Sequence, residues 1–396
     1  MRSRTDSFKA RLKWRRRTLE MSQRALGTSA GIGHATIQSL ESGDGSPSIK
    51  TVEALAQALK VSPAWLGFGA EGDAQALTLD VAEGFDPSAY LDRIAAEVES
   101  SRPIDQLAKY LDQRGVRRWL DLLRSQNHEA FVSKMPLPEI ARELVTISDG
   151  MPVDLVGLGC GTAHQELRLT TLLNSLAIPL RLCLVDISVY LLILAYQQAR
   201  RTIKDTPVDL AALIADIYEL PSYADRLLAA SVERLRVYCL FGYTFGNLRQ
   251  EDDLFVKCLA GAAVRNGDLL LLDVTLALPK PEDEPVLVGQ RSSEFLNLMY
   301  GFLSAPIHSL IGSSSAVTVE PALESGRISG SYIINLYGRY NAGTEARRQS
   351  LAVVTRYSIA SLQSYLKSKR WNVVGSYPYD EGHAAVLVCQ YKDTPT

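Results

Sequence analysis

The residue types best suited to chemistry lie between positions 153 and 247. Val153–Leu158 is an apolar run that enters Gly157-Leu158-Gly159-Cys160-Gly161. Glycines at such a bend let the backbone approach a ligand with no Cβ in the way. Leu180–Val185 is a second apolar run, ending in Asp186, an acid placed to accept both hydroxyls of an adenosine ribose. Ala211–Ala215 runs into Asp216-Ile217, and Arg236–Phe241 into Gly242-Tyr243-Thr244-Phe245-Gly246-Asn247. A glycine bend, a ribose acid and a third-strand acid serve either NAD or S-adenosylmethionine. The pyrophosphate of NAD favours G-x-G-x-x-G opening straight onto a helix N-terminus, whereas this bend is G-x-G-x-G.

These residues need elements to hold them. His164–Leu176, Leu191–Arg200 and Glu294–Leu303 have helical period, and Leu269–Val274 is a further apolar strand entered through Asn266-Gly267-Asp268. Strands alternating with helices predict an α/β, doubly wound parallel sheet with ligands at the C-terminal ends of its strands. Gly326–Tyr340 reads as an antiparallel hairpin region, and Pro279–Pro285 as a solvated loop. Upstream, Pro87–Ser100, Ile104–Arg124 and Leu137–Ile147 are amphipathic patterns that would pack on the sheet domain or on each other in a dimer. His128-Glu129 has no second His at metal spacing and reads as a surface pair.

The G-x-G-x-G bend followed by Asp186 and Asp216 resembles the class I S-adenosylmethionine-dependent methyltransferases, a Rossmann-like fold. The segments "LCLVDIS", "IADIYEL", "LFGYTFGNL", "NGDLLLLDVTLA" and the C-terminal "YSIASLQSYLKSKRWNVVGSYPYDEGHAAVLVCQYK" follow the layout of the histidine-specific methyltransferase family. The resemblance implies S-adenosylmethionine as cofactor, with Gly157, Gly159, Gly161, Asp186, Ile187, Asp216, Ile217, Phe241 and Gly242 around it. It also implies Asn247 as a holder of an amino-acid substrate, with Tyr243 and Arg356 (and Tyr300) as candidates for the substrate wall. Two departures concern the substrate. The Tyr-Tyr-x-Thr-Arg segment before the glycine bend is missing, and the imidazole-holding E-x-S falls on Ala352-Val353-Val354, ahead of Arg356-Tyr357. An apolar pair cannot hydrogen-bond an imidazole, so histidine is not the expected acceptor.

Methyl transfer is an in-line displacement that mainly requires alignment in a dry pocket, so no metal cluster is expected. His164 reads as a helix-start polar residue near the cofactor, and Cys160 and Cys183 as packing residues. DNA bases are disfavoured as acceptors. Phe241-Gly242-Tyr243-Thr244 stands where amino-methylating DNA enzymes carry an Asp/Asn-Pro-Pro-aromatic loop, and no Cys follows a Pro.

The first 17 residues hold Arg2, Arg4, Lys9, Arg11, Lys13, Arg15, Arg16 and Arg17 against Asp6, although the whole chain has a formal net charge of −2. A basic end on an acidic body suits a polyanion at one part of the molecule. Five short helical patterns follow: Phe8–Arg17, Gln23–Ser29 capped by Ser22, His34–Glu41 ended by Gly43, Ile49–Lys60 capped by Ser48, and Ala64-Trp65-Leu66. The stretch "MSQRALGTSAGIGHATIQSLESGDGSPSIKTVEALAQALKVSPAWLGFG" resembles the Cro/CI-type (XRE) helix-turn-helix domain of repressors. That resemblance implies binding of double-stranded DNA, with Gln23 on a phosphate and Gly33, His34, Ala35, Gln38 and Ser39 facing the groove. Gln38 suits adenine N6 and N7, and Ala35 a thymine methyl. Arg15, Arg16 and Arg17 would position the domain on phosphates without specifying sequence. Such domains read paired half-sites, which predicts a homodimer.

The expected organisation is a helix-turn-helix domain at 1–69, a linker at 70–86, a helical cap at 87–148 and a methyltransferase-like domain at 149–396. With 396 residues and 46% hydrophobic content against almost no net charge, the composition excludes a largely disordered chain. No apolar run reaches the ~18 residues of a membrane span. Five Cys without C-x-x-C spacing point to reduced thiols and a cytoplasmic location. Two functions remain in contention: a DNA-binding regulator fused to a methyltransferase acting on an amino acid or small amine, or a regulator whose second domain senses a ligand without catalysis.

Overall fold

The computed structural model describes residues 8–19, 21–45, 47–59, 61, 63–68, 79–124, 134–204, 206, 208–228, 233–284, 293–311 and 316–393. Most of the expected linker and the pair His128-Glu129 lie outside the described residues. The chain divides into two compact units, Met1–Thr78 and Leu79–Thr396.

In the first unit, α1 (Phe8–Thr18), α2 (Gln23–Ala30), α3 (His34–Ser42), α4 (Ile49–Leu59) and α5 (Pro63–Phe68) follow the sequence pattern to within a residue or two at most ends. Ser22 caps α2 by accepting the Ala25 N–H at 3.0 Å, and Ser48 accepts the Thr51 N–H at 3.2 Å. Leu12, Leu26, Ile37, Leu40, Leu55, Leu59 and Leu66 converge on one buried core. Burying one such side chain contributes about 1.5–3 kcal/mol, which a domain this small needs from nearly every apolar position it has.

The second unit is built on an eight-stranded sheet. Its strands are β1 (Asp80–Val81), β2 (Val153–Leu158), β3 (Leu180–Asp186), β4 (Asp209–Ile214), β5 (Leu235–Leu240), β6 (Leu269–Thr275), β10 (Trp371–Tyr379) and β11 (Ala384–Tyr391), in the order β1-β4-β3-β2-β5-β6-β11-β10. β1 to β6 run parallel, and β11 is antiparallel to both β6 and β10. β2, β5 and β6 are buried along their whole length because both faces are covered. Val153, Leu155, Leu182 and Leu184 face α9 (Leu137–Ser148), α10 (His164–Ser175) and α11 (Val189–Thr202). Val156, Leu158, Cys183 and Val185 face α12 (Leu220–Leu228) and α15 (Ile359–Ser368). The alternation along β2 and β3 is the two-residue period of a strand in a three-layer stack. This is the Rossmann-like methyltransferase fold that the motifs imply, and all five cysteines are buried and unbridged within it.

A second core holds the cap. Ile94 and Val98 on α6 (Pro87–Glu99), Ala108 on α7 (Ala108–Leu111) and Leu122 on α8 (Gln113–Leu123) pack with Phe302 and Ile307 on α13 (Ser293–Leu303) and α14 (Ala305–Ile311). They also meet Val319, Ile334 and Leu351 of an antiparallel sheet, β7 (Thr318–Ser325), β8 (Tyr332–Ala342) and β9 (Glu345–Arg356). Residues 87–148 therefore contribute to two cores, since α9 covers the main sheet while α6–α8 build the cap. The single helix expected over Ile104–Arg124 is two. Asp112 is extended (φ −108°, ψ 157°) and its carboxylate caps α8 by accepting the Gly115 N–H at 2.6 Å. The expected Gly326–Tyr340 hairpin is centred on residues 326–331 and is extended by β9 into three strands. No helix among the described residues is long and apolar enough to cross a membrane.

Candidate functional site

The ends of β4, β3, β2 and β5 lie side by side, and each carries one of the residues singled out from sequence. At the end of β2, Gly159 and Gly161 have φ of +64° and +54°, where a side chain is strained. A Cβ on Gly161 would meet no atom within 4 Å, so the bend opens onto unfilled space. Asp186 ends β3 and is buried. Its Oδ2 accepts the Gly161 N–H at 2.7 Å and its Oδ1 the Ser188 N–H at 2.8 Å. Burial pushes Asp186 up to about 6, opposed by these backbone donors. The same carboxylate that suits a ribose thus also fixes the shape of the glycine bend. Asp216, buried after β4, accepts the Tyr218 N–H at 3.0 Å on Oδ1 and the Tyr90 hydroxyl at 3.1 Å on Oδ2. Ile187, Ile217 and Phe241 are buried apolar neighbours of these acids.

Three features fit an adenosine-bearing cofactor: an open glycine bend, a buried acid beside it, and a second buried acid one strand over. Asp186 and Asp216 make no ion pair among the described residues, so their remaining lone pairs suit hydroxyl and amine donors. Glu166, on the first turn of α10, is buried under the bend with its Cγ 3.0 Å from where a Gly157 Cβ would stand. Burial pushes Glu166 up to about 8. Its signal in the sequence is an acid three residues into the helix that follows the glycines.

The loop after β5 forms the next wall. Gly242 and Tyr243 have φ of +70° and +59°, and both donate their N–H groups to Asp273 Oδ2, at 3.0 and 3.3 Å. The Tyr379 hydroxyl donates to Asp273 Oδ1 at 2.7 Å and lies 3.2 Å from the Tyr243 hydroxyl. Asp273, toward the C-terminal end of the apolar β6 run, is pushed up to about 7 by burial. Sequence reasoning missed Asp273 and Tyr379, although a lone charge inside "LLLLDV" is a visible irregularity. Asn247 is half-buried, and its side-chain amide makes no hydrogen bond among the described residues. Gly246 sits where a Cβ would come within 3.0 Å of the Thr355 carbonyl, which seats the Thr244–Asn247 turn against the end of β9. Arg356, a candidate for the substrate wall, is paired within the fold. Its Nε and Nη2 donate to Glu284 at 2.7 and 3.2 Å, and the Tyr332 hydroxyl donates to the same carboxylate at 2.8 Å. Ala352 and Val353 are buried, as an apolar pair should be.

In the first unit, Gly33, His34, Ala35 and Gln38 are exposed along one side of α3, Ser39 is half-buried, and Ile37, Leu40 and Glu41 turn inward. Arg16 is engaged within the domain: its Nε and Nη2 donate to Glu41 at 2.6 and 2.9 Å, and its Nη1 to the Met21 carbonyl at 2.7 Å. The side-chain amide of Gln23 donates to Glu41 at 2.8 Å. Desolvation raises the pKa of Glu41, but the Arg16 and Gln23 donors outweigh it and leave the carboxyl below its usual range. Arg11 donates to the Leu66 and Gly67 carbonyls and Arg15 to the Leu59 carbonyl, closing the ends of α5 and α4. Arg17 remains exposed.

Residues 12–66 match the helix-turn-helix family model. The chain is 38% identical over 61 residues to the HTH-type transcriptional regulator DicA of Escherichia coli strain K12, covering 15% of this chain and 45% of that protein. It is 39% identical over 79 residues to the regulator PrtR of Pseudomonas aeruginosa, covering 20% of this chain and 30% of that protein. The chain therefore spans less than half the length of either curated relative. Among solved structures, the P22 c2 repressor in complex with a synthetic operator is 32% identical over 16% of this chain and 98% of its own, with a TM-score of 0.16. The Burkholderia thailandensis 1,6-didemethyltoxoflavin-N1-methyltransferase, with S-adenosylhomocysteine bound, is 12% identical over 79% of this chain and 93% of its own, with a TM-score of 0.36. The N-terminal unit thus carries a helix-turn-helix domain of the XRE type, joined to a unit with a Rossmann-like methyltransferase fold.

Proposed function

We propose that the chain is a DNA-binding regulator whose second unit binds S-adenosylmethionine and transfers its methyl group to an amino acid or other small amine. The observation that carries this reading is the pair of buried acids, Asp186 and Asp216, that make no ion pair among the described residues and stand beside the open Gly159–Gly161 bend. Gly157, Gly159, Gly161, Asp186, Ile187, Asp216, Ile217, Phe241 and Gly242 form the cofactor walls. Asp186 accepts the ribose hydroxyls, and Asp216 accepts from the adenine amine. Bound there, the sulfonium supplies an electrophilic methyl group.

Asn247 offers its side-chain amide to orient the acceptor, with Tyr243 alongside. An ammonium acceptor must lose a proton before it is a nucleophile. The Tyr243 hydroxyl can take that proton while passing its own to Tyr379, which passes its own to Asp273 Oδ1. At a folded value of about 7, Asp273 is poised to hold it near neutral pH. In the first unit, Gly33, His34, Ala35, Gln38 and Ser39 read the major groove of double-stranded DNA, Arg17 contacts phosphate, and Gln23 presents its remaining polar atom to the backbone. Arg16 acts by fixing Glu41 and, through it, Gln23. A homodimer in the cytoplasm, reading two half-sites, completes this proposal.

One observation favours a sensor as the second reading: Arg356 is locked on Glu284, and apolar residues fill the place of the imidazole contacts. Incubating the full chain with methyl-labelled S-adenosylmethionine and a pool of amino acids and small amines separates the two. Labelled product is expected. Cofactor binding without any transfer would leave the sensor and overturn the enzyme.

A further inference from the structure

We infer that Tyr90, on the cap helix α6, belongs to the cofactor site, where its hydroxyl keeps Asp216 in the acceptor-only form that an adenine amine requires. This rests on the cofactor reading above. The Tyr90 hydroxyl donates to Asp216 Oδ2 at 3.1 Å, and the other oxygen accepts the Tyr218 N–H at 3.0 Å. These are the two hydrogen bonds that hold the carboxylate, which has no ion pair among the described residues. The Tyr90 ring is held by two neighbours: the Phe85 ring centroid is 5.7 Å away and the Arg93 guanidinium lies 4.9 Å from the ring centre. Further along α6, Ile94 and Val98 are rooted in the cap core, so Tyr90 is where the cap reaches the end of β4.

The chemistry follows from donor counting. The adenine amine donates, so Asp216 must accept, and protonation turns one of its two acceptor oxygens into an O–H donor. Burial pushes Asp216 up toward that protonated form, and the Tyr218 N–H and Tyr90 hydroxyl oppose it. The Asp105 carboxylate pushes the same way as burial and Arg93 against it, while Glu219 faces the Tyr90 hydroxyl. Removing the Tyr90 hydroxyl takes away one of the donors that favour the anion. Asp216 then protonates at a higher pH, and adenosine affinity is lost earlier as pH falls.

The test uses the full chain and S-adenosylhomocysteine in a calorimeter between pH 5 and pH 8.5. The variants are Tyr90→Phe, Asp216→Asn and the double variant, each with a melting curve as a control for folding. Tyr90→Phe should bind weakly relative to the parent chain, and the deficit should grow as pH falls toward 5, reaching at most about threefold, the ceiling set by a half-unit shift. Asp186 adds its own loss near its folded value of about 6, common to all four proteins. In the Asp216→Asn background the Tyr90→Phe change should add no pH-dependent deficit. Coincident pH profiles for the parent and Tyr90→Phe would overturn the assignment while leaving the cofactor reading intact. An absence of binding by the parent chain at every pH would overturn both.

Discussion

Near the start of β2, Asp154 is 1% exposed and is held by Arg181 at 2.6 Å and Arg234 at 3.4 Å. At the opposite ends of β3 and β6, Asp186 and Asp273 are 5% and 1% exposed, yet neither has an ion-pair partner among the described residues. Backbone N–H groups and one tyrosine hydroxyl are their donors. One sheet thus treats buried carboxylates in two ways. A buried charge matched by a cation holds structure. A buried charge matched only by dipoles has its protonation balanced near neutrality and keeps lone pairs for a ligand. The first unit repeats the structural half of this contrast, because Glu41, Arg16 and Gln23 satisfy one another beneath a face of exposed polar residues.

Mutations that separate the two kinds of acid should differ most in stability. Asp154→Ala strands Arg181 and Arg234 and should cost about 3–5 kcal/mol in denaturant unfolding. Asp273→Asn keeps acceptors and donors for all its neighbours and, measured near pH 4 where the folded carboxyl is protonated, should change stability by less than about 1 kcal/mol. Equal losses from the two would break the contrast.

A similar division is expected within the helix-turn-helix unit. Gln38→Ala should cost about 1–3 kcal/mol on a selected operator and little on random duplex. Arg17→Ala should weaken both and flatten the salt dependence by about one unit of slope. Fluorescence anisotropy across a salt series measures both effects. If Gln38→Ala weakens every duplex alike, α3 is not reading bases.

A further test lies in the pH dependence of stability. Carboxyls of the unfolded chain ionise near pH 4, whereas folded Asp273 and Glu166 do so at about 7 and about 8. The folded chain therefore binds more protons across that window, and their contribution to stability falls as pH rises through it, then levels off. Melting temperatures from pH 5 to pH 8.5 should show this slope, and Asp273→Asn should reduce it. An unchanged slope would place the titrating group elsewhere.

The glycine bend, Asp186, Asp216 and the five N-terminal helices were legible because each depends on local sequence: a turn, a strand end, a cap, a helical period. The cap was not. Its core joins α6–α8 to strands far later in the chain, and the Tyr-rich β8 lacks a clean alternation. The Asp112 break was hidden because the apolar spacing on either side continues as one helix. Arg16 looked like a phosphate contact because its partner Glu41 is brought to it only by the packing of α1 on α3. Tyr90 and Tyr379 gain meaning only from partners across the fold, so their types alone gave no signal, whereas Asp273 showed only as a charge interrupting an apolar strand.

The central claim is that the second unit holds an adenosine-bearing sulfonium at the Gly157–Gly161 bend with Asp186 on its ribose. Isothermal titration of the full chain with S-adenosylhomocysteine tests it most directly. One molecule should bind per chain at pH 8, and Asp186→Ala should abolish the heat while α-helical content is retained. No heat from the parent chain, or equal affinity in Asp186→Ala, would contradict the account.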